Sequence, residues 1–121
     1  METDIMAGLN RLSDTTFAET ISTEKGIAVV DFWAAWCPPC RVLSGVLAGI
    51  AGELADSHRF YEIDTDLNPV TATAYGVRSL PTVIVFSEGR EIGRIVGALP
   101  SEAFRRRMDA IVEGTAGVTA R

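Results

Sequence analysis

The chain has 121 residues, 47% of them apolar and 22% charged, with a formal net charge of −5. That size makes one domain with a sizeable core, and the composition is that of a folded globular protein rather than a disordered one. The acidic balance speaks against nucleic acid or an anionic membrane as partner, since both reward basic surfaces, and no apolar run approaches the ~20 residues of a membrane-spanning helix.

The N-terminal METDIMAG carries two acids and no Lys or Arg before Arg11, so no secretory leader is expected. Two closely spaced cysteines give no long-range cross-link, which fits a reducing, cytoplasmic setting. Residues 1–8 are expected to be a flexible segment, residues 9–113 the folded domain and residues 114–121 a flexible tail.

In chain order, Leu9 to Leu12 reads as a short strand, with Ser13 capping a first helix through Ile21. Ile27 to Trp33 is nearly all apolar and rich in β-branched and aromatic residues, the pattern of a central strand covered on both faces. A helix then begins at Cys37-Pro-Pro-Cys40, with Val42, Leu43, Val46, Leu47, Ile50 and Leu54 at helical spacing as its buried face. Gly45, Gly49 and Gly52 each weaken it by about 1 kcal/mol relative to Ala, and the Gly45-xxx-Gly49 pair is read as a point of close helix–sheet packing. Phe60 to Asp64 is a third strand and Pro69 to Tyr75 a short helix with proline in its first turn. Thr82 to Phe86 is a buried strand that turns at Ser87-Glu-Gly-Arg90 into an antiparallel edge strand, Glu91 to Val96. Phe104, Met108, Ile111 and Val112 mark one face of a closing helix. The alternation predicts an α/β fold, a mixed sheet with helices on both faces.

The chemistry concentrates in Asp31-Phe-Trp-Ala-Ala-Trp-Cys-Pro-Pro-Cys-Arg41, which holds both cysteines, both tryptophans and a carboxylate. A lone CxxC is either a redox pair or half a zinc site. Zinc needs four ligands, and the chain offers two cysteines and one histidine, His58, so the redox reading leads and no metal is expected. An attacking cysteine must be partly ionised near neutral pH. A helix N-terminus supplies this through unpaired N–H groups and the positive end of the macrodipole. Pro38 forces Cys37 into an extended conformation suited to a cap, and two prolines in the first turn lose only N–H groups without intrahelical partners. Cys40, one turn further in, lies beneath. The spacing therefore suggests that Cys37 attacks and Cys40 resolves. Asp31, inside an apolar strand, has its proton affinity raised by burial and can exchange a proton with a buried thiol; alternatively it turns to a polar strand edge or pairs with a cation.

VDFWAAWCPPCR resembles the active-site segment of the thioredoxin family, DLNPVTATAYGVRSLPT its following helix and proline loop, and VGAL at 96–99 its substrate-side glycine segment. The resemblance runs from about Leu9 to Val112. It implies a thioredoxin fold, with a central mixed sheet of four to five strands flanked by about four helices. It implies dithiol–disulfide exchange on disulfide-containing target proteins, with Cys37 as exposed nucleophile, Cys40 as resolving thiol and Asp31 as the buried acid assisting Cys40. Pro81 matches the loop proline preceded by a cis peptide bond. Trp36, Pro38, Pro39, Leu80, Pro81, Val96, Gly97 and Ala98 match the apolar surface on which targets dock, and Trp33 the tryptophan packed behind the site. The electron donor implied is an NADPH-dependent thioredoxin reductase, and the protein is expected to be a monomer. The chain has no GxGxxG fingerprint of its own, so no bound cofactor is expected.

Three positions depart from the family pattern. Pro38 replaces the glycine of CGPC, Glu62 stands where many members carry lysine near the buried acid, and Gly45 takes the place of a helix-kinking proline. Arg105-Arg-Arg107 is read as a solvated helix face, His58 as a surface residue at the end of the long helix. Competing functions are a more oxidising disulfide oxidant or isomerase and a non-catalytic scaffold using the apolar rim. A scaffold needs neither the paired thiols nor Asp31.

Overall fold

Ile27–Trp33 forms the middle strand of the sheet because it has no polar face to spare for solvent. A computed structural model describes residues 8–119. Among these, the elements run β1 (Asn10–Leu12), α1 (Phe17–Thr23), β2 (Ile27–Trp33), α2 (Pro38–Glu53), β3 (His58–Asp64), α3 (Pro69–Ala74), β4 (Thr82–Ser87), β5 (Arg90–Val96) and α4 (Ser101–Thr119). The strand order is β1-β3-β2-β4-β5. β2 and β1 lie parallel to β3, while β4 runs antiparallel to β2 and β5 antiparallel to β4.

Period-two alternation along β2 divides the core. Val29 and Trp33 join Leu43 and Leu47 of α2 and Phe104 and Met108 of α4 on one face. Ala28, Val30 and Phe32 join Phe17 and Ile21 of α1 on the other. At the β4–β5 hairpin Glu88 and Gly89 both have positive φ, 52° and 82°, the two-residue turn whose twist matches antiparallel strands.

Several local expectations are corrected. Ser13 does not cap α1: its carbonyl accepts the Thr16 and Phe17 N–H groups in a turn, and the helix begins only at Phe17 with Thr16 before it. The carboxylate of Asp14, next in sequence, instead accepts the N–H groups of Val70 and Thr71 at the start of α3, a cap supplied from a distant loop. His58 opens β3, half-buried, with its ring stacked at 6.2 Å from Phe60. α4 continues past Gly114 to Thr119, where the sequence reading ends the domain at 113. Residues 1–7 of the expected N-terminal segment and residues 120–121 lie outside the described residues.

The glycines of α2 do not pack against the sheet. Gly45, Gly49 and Gly52 are exposed, and a Cβ at any of them would meet nothing within 4 Å. Val42, expected in the buried face, is likewise exposed. The apolar stripe is narrower than the periodicity suggests, since Cys40, Leu43, Ser44, Leu47, Ile50 and Ala51 cover the sheet between them. Alanine at 45, 49 or 52 is therefore expected to stabilise the protein by about 0.5–1 kcal/mol each. A denaturant midpoint that rises at unchanged slope checks this.

Candidate active site

The turn between β2 and α2 delivers the two sulfurs. Cys37 occupies the helix N-cap with φ −101° and ψ 106°, the extended geometry that a following proline demands. Pro38 and Pro39 take the first helical positions. The Cys40 N–H donates to Cys37 Sγ at 3.3 Å, so the sulfur sits where a helix start best stabilises negative charge. Cys37 and Cys40 are joined as a disulfide with their Cα atoms 5.3 Å apart.

Cys37 is not exposed in this oxidised form: 3% of its surface is accessible, against 1% for Cys40. Bonding to Cys40 turns its sulfur toward the helix start, and what faces solvent is the rim around it. Trp36, Pro38 and Pro39 stand out from the surface, Trp36 with 66% of its area exposed. On the other side, the Leu80–Pro81 peptide bond is cis, and Pro81 O accepts the Gly97 N–H at 2.8 Å. Gly97 has φ +99°, a backbone conformation that favours glycine. Leu80 and Ala98 are half-buried and pack against the cluster that contains both cysteines. Val96, at the end of β5, is exposed. The structure thus gathers the residues expected to form the rim, although they come from three separated segments.

A groove of about 300 Å³ opens beside Trp36, between Leu80, Val77 and Arg78 on one side and Pro69, Ala72 and Thr73 of α3 on the other. Sequence reasoning missed its α3 wall. Its small residues look like helix filler until the fold sets them opposite the tryptophan.

Asp31 lies under the disulfide-bearing face. It is fully buried, shares the sheet face of Val29 and Trp33, and has no hydrogen-bond partner on either oxygen. Burial, and then the negative charge of Glu62, push its pKa up from 3.8 to about 8. Asp31 sits on a central strand, not at a polar edge, and among the described residues no cation bonds to it. Glu62, its register partner on β3, is buried and well supplied. Trp33 Nε1 donates to Glu62 Oε1 at 2.5 Å, and Arg11 Nε to Oε2 at 2.6 Å. Arg11 was invisible as a site residue because its partner is 51 positions away.

Among the described residues, no group of three or more His, Cys, Asp or Glu could hold a metal ion, and no helix is long and apolar enough to cross a membrane.

Comparison with known proteins agrees with this arrangement. The thioredoxin family profile matches residues 8–110. A thioredoxin from Griffithsia pacifica is 39% identical over 92 residues, covering 76% of this chain and 84% of that protein. Thioredoxin 1 of Synechococcus elongatus is 36% identical over 98 residues, 81% of this chain and 92% of its own. A chloroplastic M-type thioredoxin of Chlamydomonas reinhardtii is 38% identical over 96 residues, 79% of this chain and 69% of its own. With a CxxC disulfide at a helix N-terminus and matches across most of its length, the chain belongs to the thioredoxin family and is a thiol–disulfide oxidoreductase, reducing protein disulfides by dithiol–disulfide exchange.

Proposed function

We propose the following division of labour within that activity. The Cys37 thiolate attacks a target disulfide, forming a mixed disulfide and releasing one target thiolate. Cys40 then gives its proton to Asp31 in the molecules where that carboxyl is ionised, a minority near neutral pH because burial holds its pKa at about 8, and attacks Cys37 Sγ. The Cys37–Cys40 bond closes, the second target sulfur leaves, and two electrons have passed to the target. The observations that carry this are a sulfur at a helix N-cap, a second sulfur one turn in, and a buried unpartnered carboxyl on the strand face whose core cluster contains both cysteines. Burial lifts the Asp31 pKa to about 8, far nearer the thiol range than an ordinary carboxyl, which makes it a better proton acceptor for a thiol.

Trp36, Pro38, Pro39, Leu80, Pro81, Val96, Gly97 and Ala98 form the docking rim for target proteins. Trp36→Ala is expected to raise KM for a protein disulfide by about tenfold or more, as loss of a central aromatic anchor does, with a smaller change in kcat. Steady-state insulin reduction reads both constants.

The electron donor in this reading is an NADPH-dependent thioredoxin reductase, and the protein acts as a monomeric carrier in electron transport and cell redox homeostasis. The setting is a reducing compartment, the cytoplasm. Several relatives are named as chloroplastic, so cell fractionation has two compartments to distinguish. The direct test couples NADPH and a thioredoxin reductase to insulin. NADPH oxidation that depends on both proteins supports the donor; reduction of insulin by chemically reduced protein without any coupled NADPH oxidation excludes it.

A further inference from the structure

One row of side chains crosses three strands on the α2-facing side of the sheet and carries three ionisable groups. Arg11 on the edge strand β1 is in register with Glu62 on β3, and Glu62 with Asp31 on β2. Beyond Asp31 the row continues into Val83 and Ile95, both fully buried. From the sheet edge inward the order is cation, carboxylate, carboxyl.

Glu62 has a donor on each oxygen, Arg11 Nε on one and Trp33 Nε1 on the other. Both carboxyls lie on one sheet face, Glu62 facing Asp31 across one strand spacing, roughly 4.8 Å, in an interior where water and salt screen weakly, and the Glu62 charge raises Asp31's proton affinity. The other ionisable groups on Asp31's side are few. α2 contributes Cys37 and Cys40. β3 contributes Asp64, two residues along the same strand face, whose Oδ1 already accepts the N–H groups of Asp66 and Leu67, and, four residues the other way, the half-buried His58 stacked on Phe60. β4, β5 and α4 present Val83, Val85, Ile95, Phe104 and Met108, and the Arg105–Glu53 pair lies exposed at the outer edge of α2 and α4.

We propose that Arg11 and Glu62 are positioning residues for the exchange reaction: Glu62 tightens Asp31's hold on its proton, Arg11 loosens it by neutralising Glu62, and together they set the pH at which Asp31 serves Cys40. This rests on Asp31 being the proton acceptor. Trp33 couples the pair to the active-site strand by fixing Glu62's second oxygen. The Arg11 side chain is 61% exposed and that of Glu62 only 2%, so the outer half of the device stands in water. Salt screens its charge there, and raising ionic strength acts as partial removal of Arg11.

The two residues act with opposite sign, which a purely structural role does not reproduce. The test titrates the Asp31 carboxyl of the reduced protein by carbon NMR, with the pH profile of insulin reduction measured in parallel. Glu62→Gln keeps an acceptor for Trp33 and removes the charge; the Asp31 midpoint is expected to fall by about one pH unit, a tenfold change in its proton affinity. Arg11→Gln is expected to raise the midpoint, and Arg11→Lys to restore most of it. Midpoints that move in the same direction, or do not move, overturn the proposal. Should Glu62→Gln fail to fold, Arg11→Gln at its exposed position decides alone, and no upward shift there overturns it. If the midpoints move oppositely while the pH profile of reduction stays fixed, the electrostatic device stands and Asp31 as proton acceptor falls.

Discussion

Cys37→Ser is expected to abolish disulfide reduction, with a loss of at least about 10³-fold, because the thiolate is the group that forms the covalent intermediate. Cys40→Ser is expected to fail differently. Its Cys37 still attacks, but nothing releases the target, so mixed disulfides accumulate. In a lysate the Cys40→Ser protein should therefore carry covalently bound partners that a reductant releases. The Cys37→Ser/Cys40→Ser double variant should carry none. Equal retention of partners by the double variant would instead indicate a scaffold that holds proteins by the apolar rim. The prediction follows from geometry: Cys40 Sγ is one helical turn from Cys37 Sγ and already bonded to it, so resolution is intramolecular and fast only while both sulfurs are present.

Asp31→Ala is expected to stabilise the protein while slowing it. In the unfolded chain the carboxyl loses its proton near 3.8, whereas in the folded protein burial and the Glu62 charge hold the proton to about pH 8. Between those values the folded state binds more protons than the unfolded one, so stability falls as pH rises. The contribution is intact below about pH 4 and fully lost above about pH 8. A shift of this size corresponds to about 6 kcal/mol, to which the two unpartnered oxygens add a penalty even when protonated. Alanine removes both costs and leaves only a small void. The variant should therefore gain about 1–3 kcal/mol at pH 4, where only the cost of the unpartnered oxygens is relieved, and about 5 kcal/mol more at pH 8, seen as a melting temperature that no longer declines with pH across that window. Its resolving step should slow by about 10²-fold or more, the usual loss when a positioned proton acceptor is removed. A gain independent of pH would mean that Asp31 is not protonated in the folded protein.

Much of this fold was legible because its signals are local. The apolar run at Ile27–Trp33, the proline-started helices and the Glu-Gly turn each declare themselves within a few residues, and the structure has an element at each place. The active-site motif was equally plain, since cysteines, prolines and tryptophan are contiguous. What escaped depends on contacts between distant segments. Ser13 reads as a cap by type, but the backbone after β1 first makes a turn, and Asp14 is drawn to α3 instead. The glycines of α2 suggest close packing, yet whether a glycine faces the sheet or solvent is decided by which neighbouring side chains fill the interface. The buried charge of Glu62 makes sense only once β1 brings Arg11 beside it.

The account depends most on Cys37 being the acidic thiol of the reduced protein and Cys40 the sheltered one. Alkylation of the reduced protein with iodoacetamide, followed by peptide mapping at a series of pH values, reads each thiol separately. The expected result is selective modification of Cys37, with an apparent pKa below the ordinary 8.5 and Cys40 far slower at neutral pH. Equal, slow modification of both sulfurs, each titrating at or above the ordinary thiol value, would contradict it.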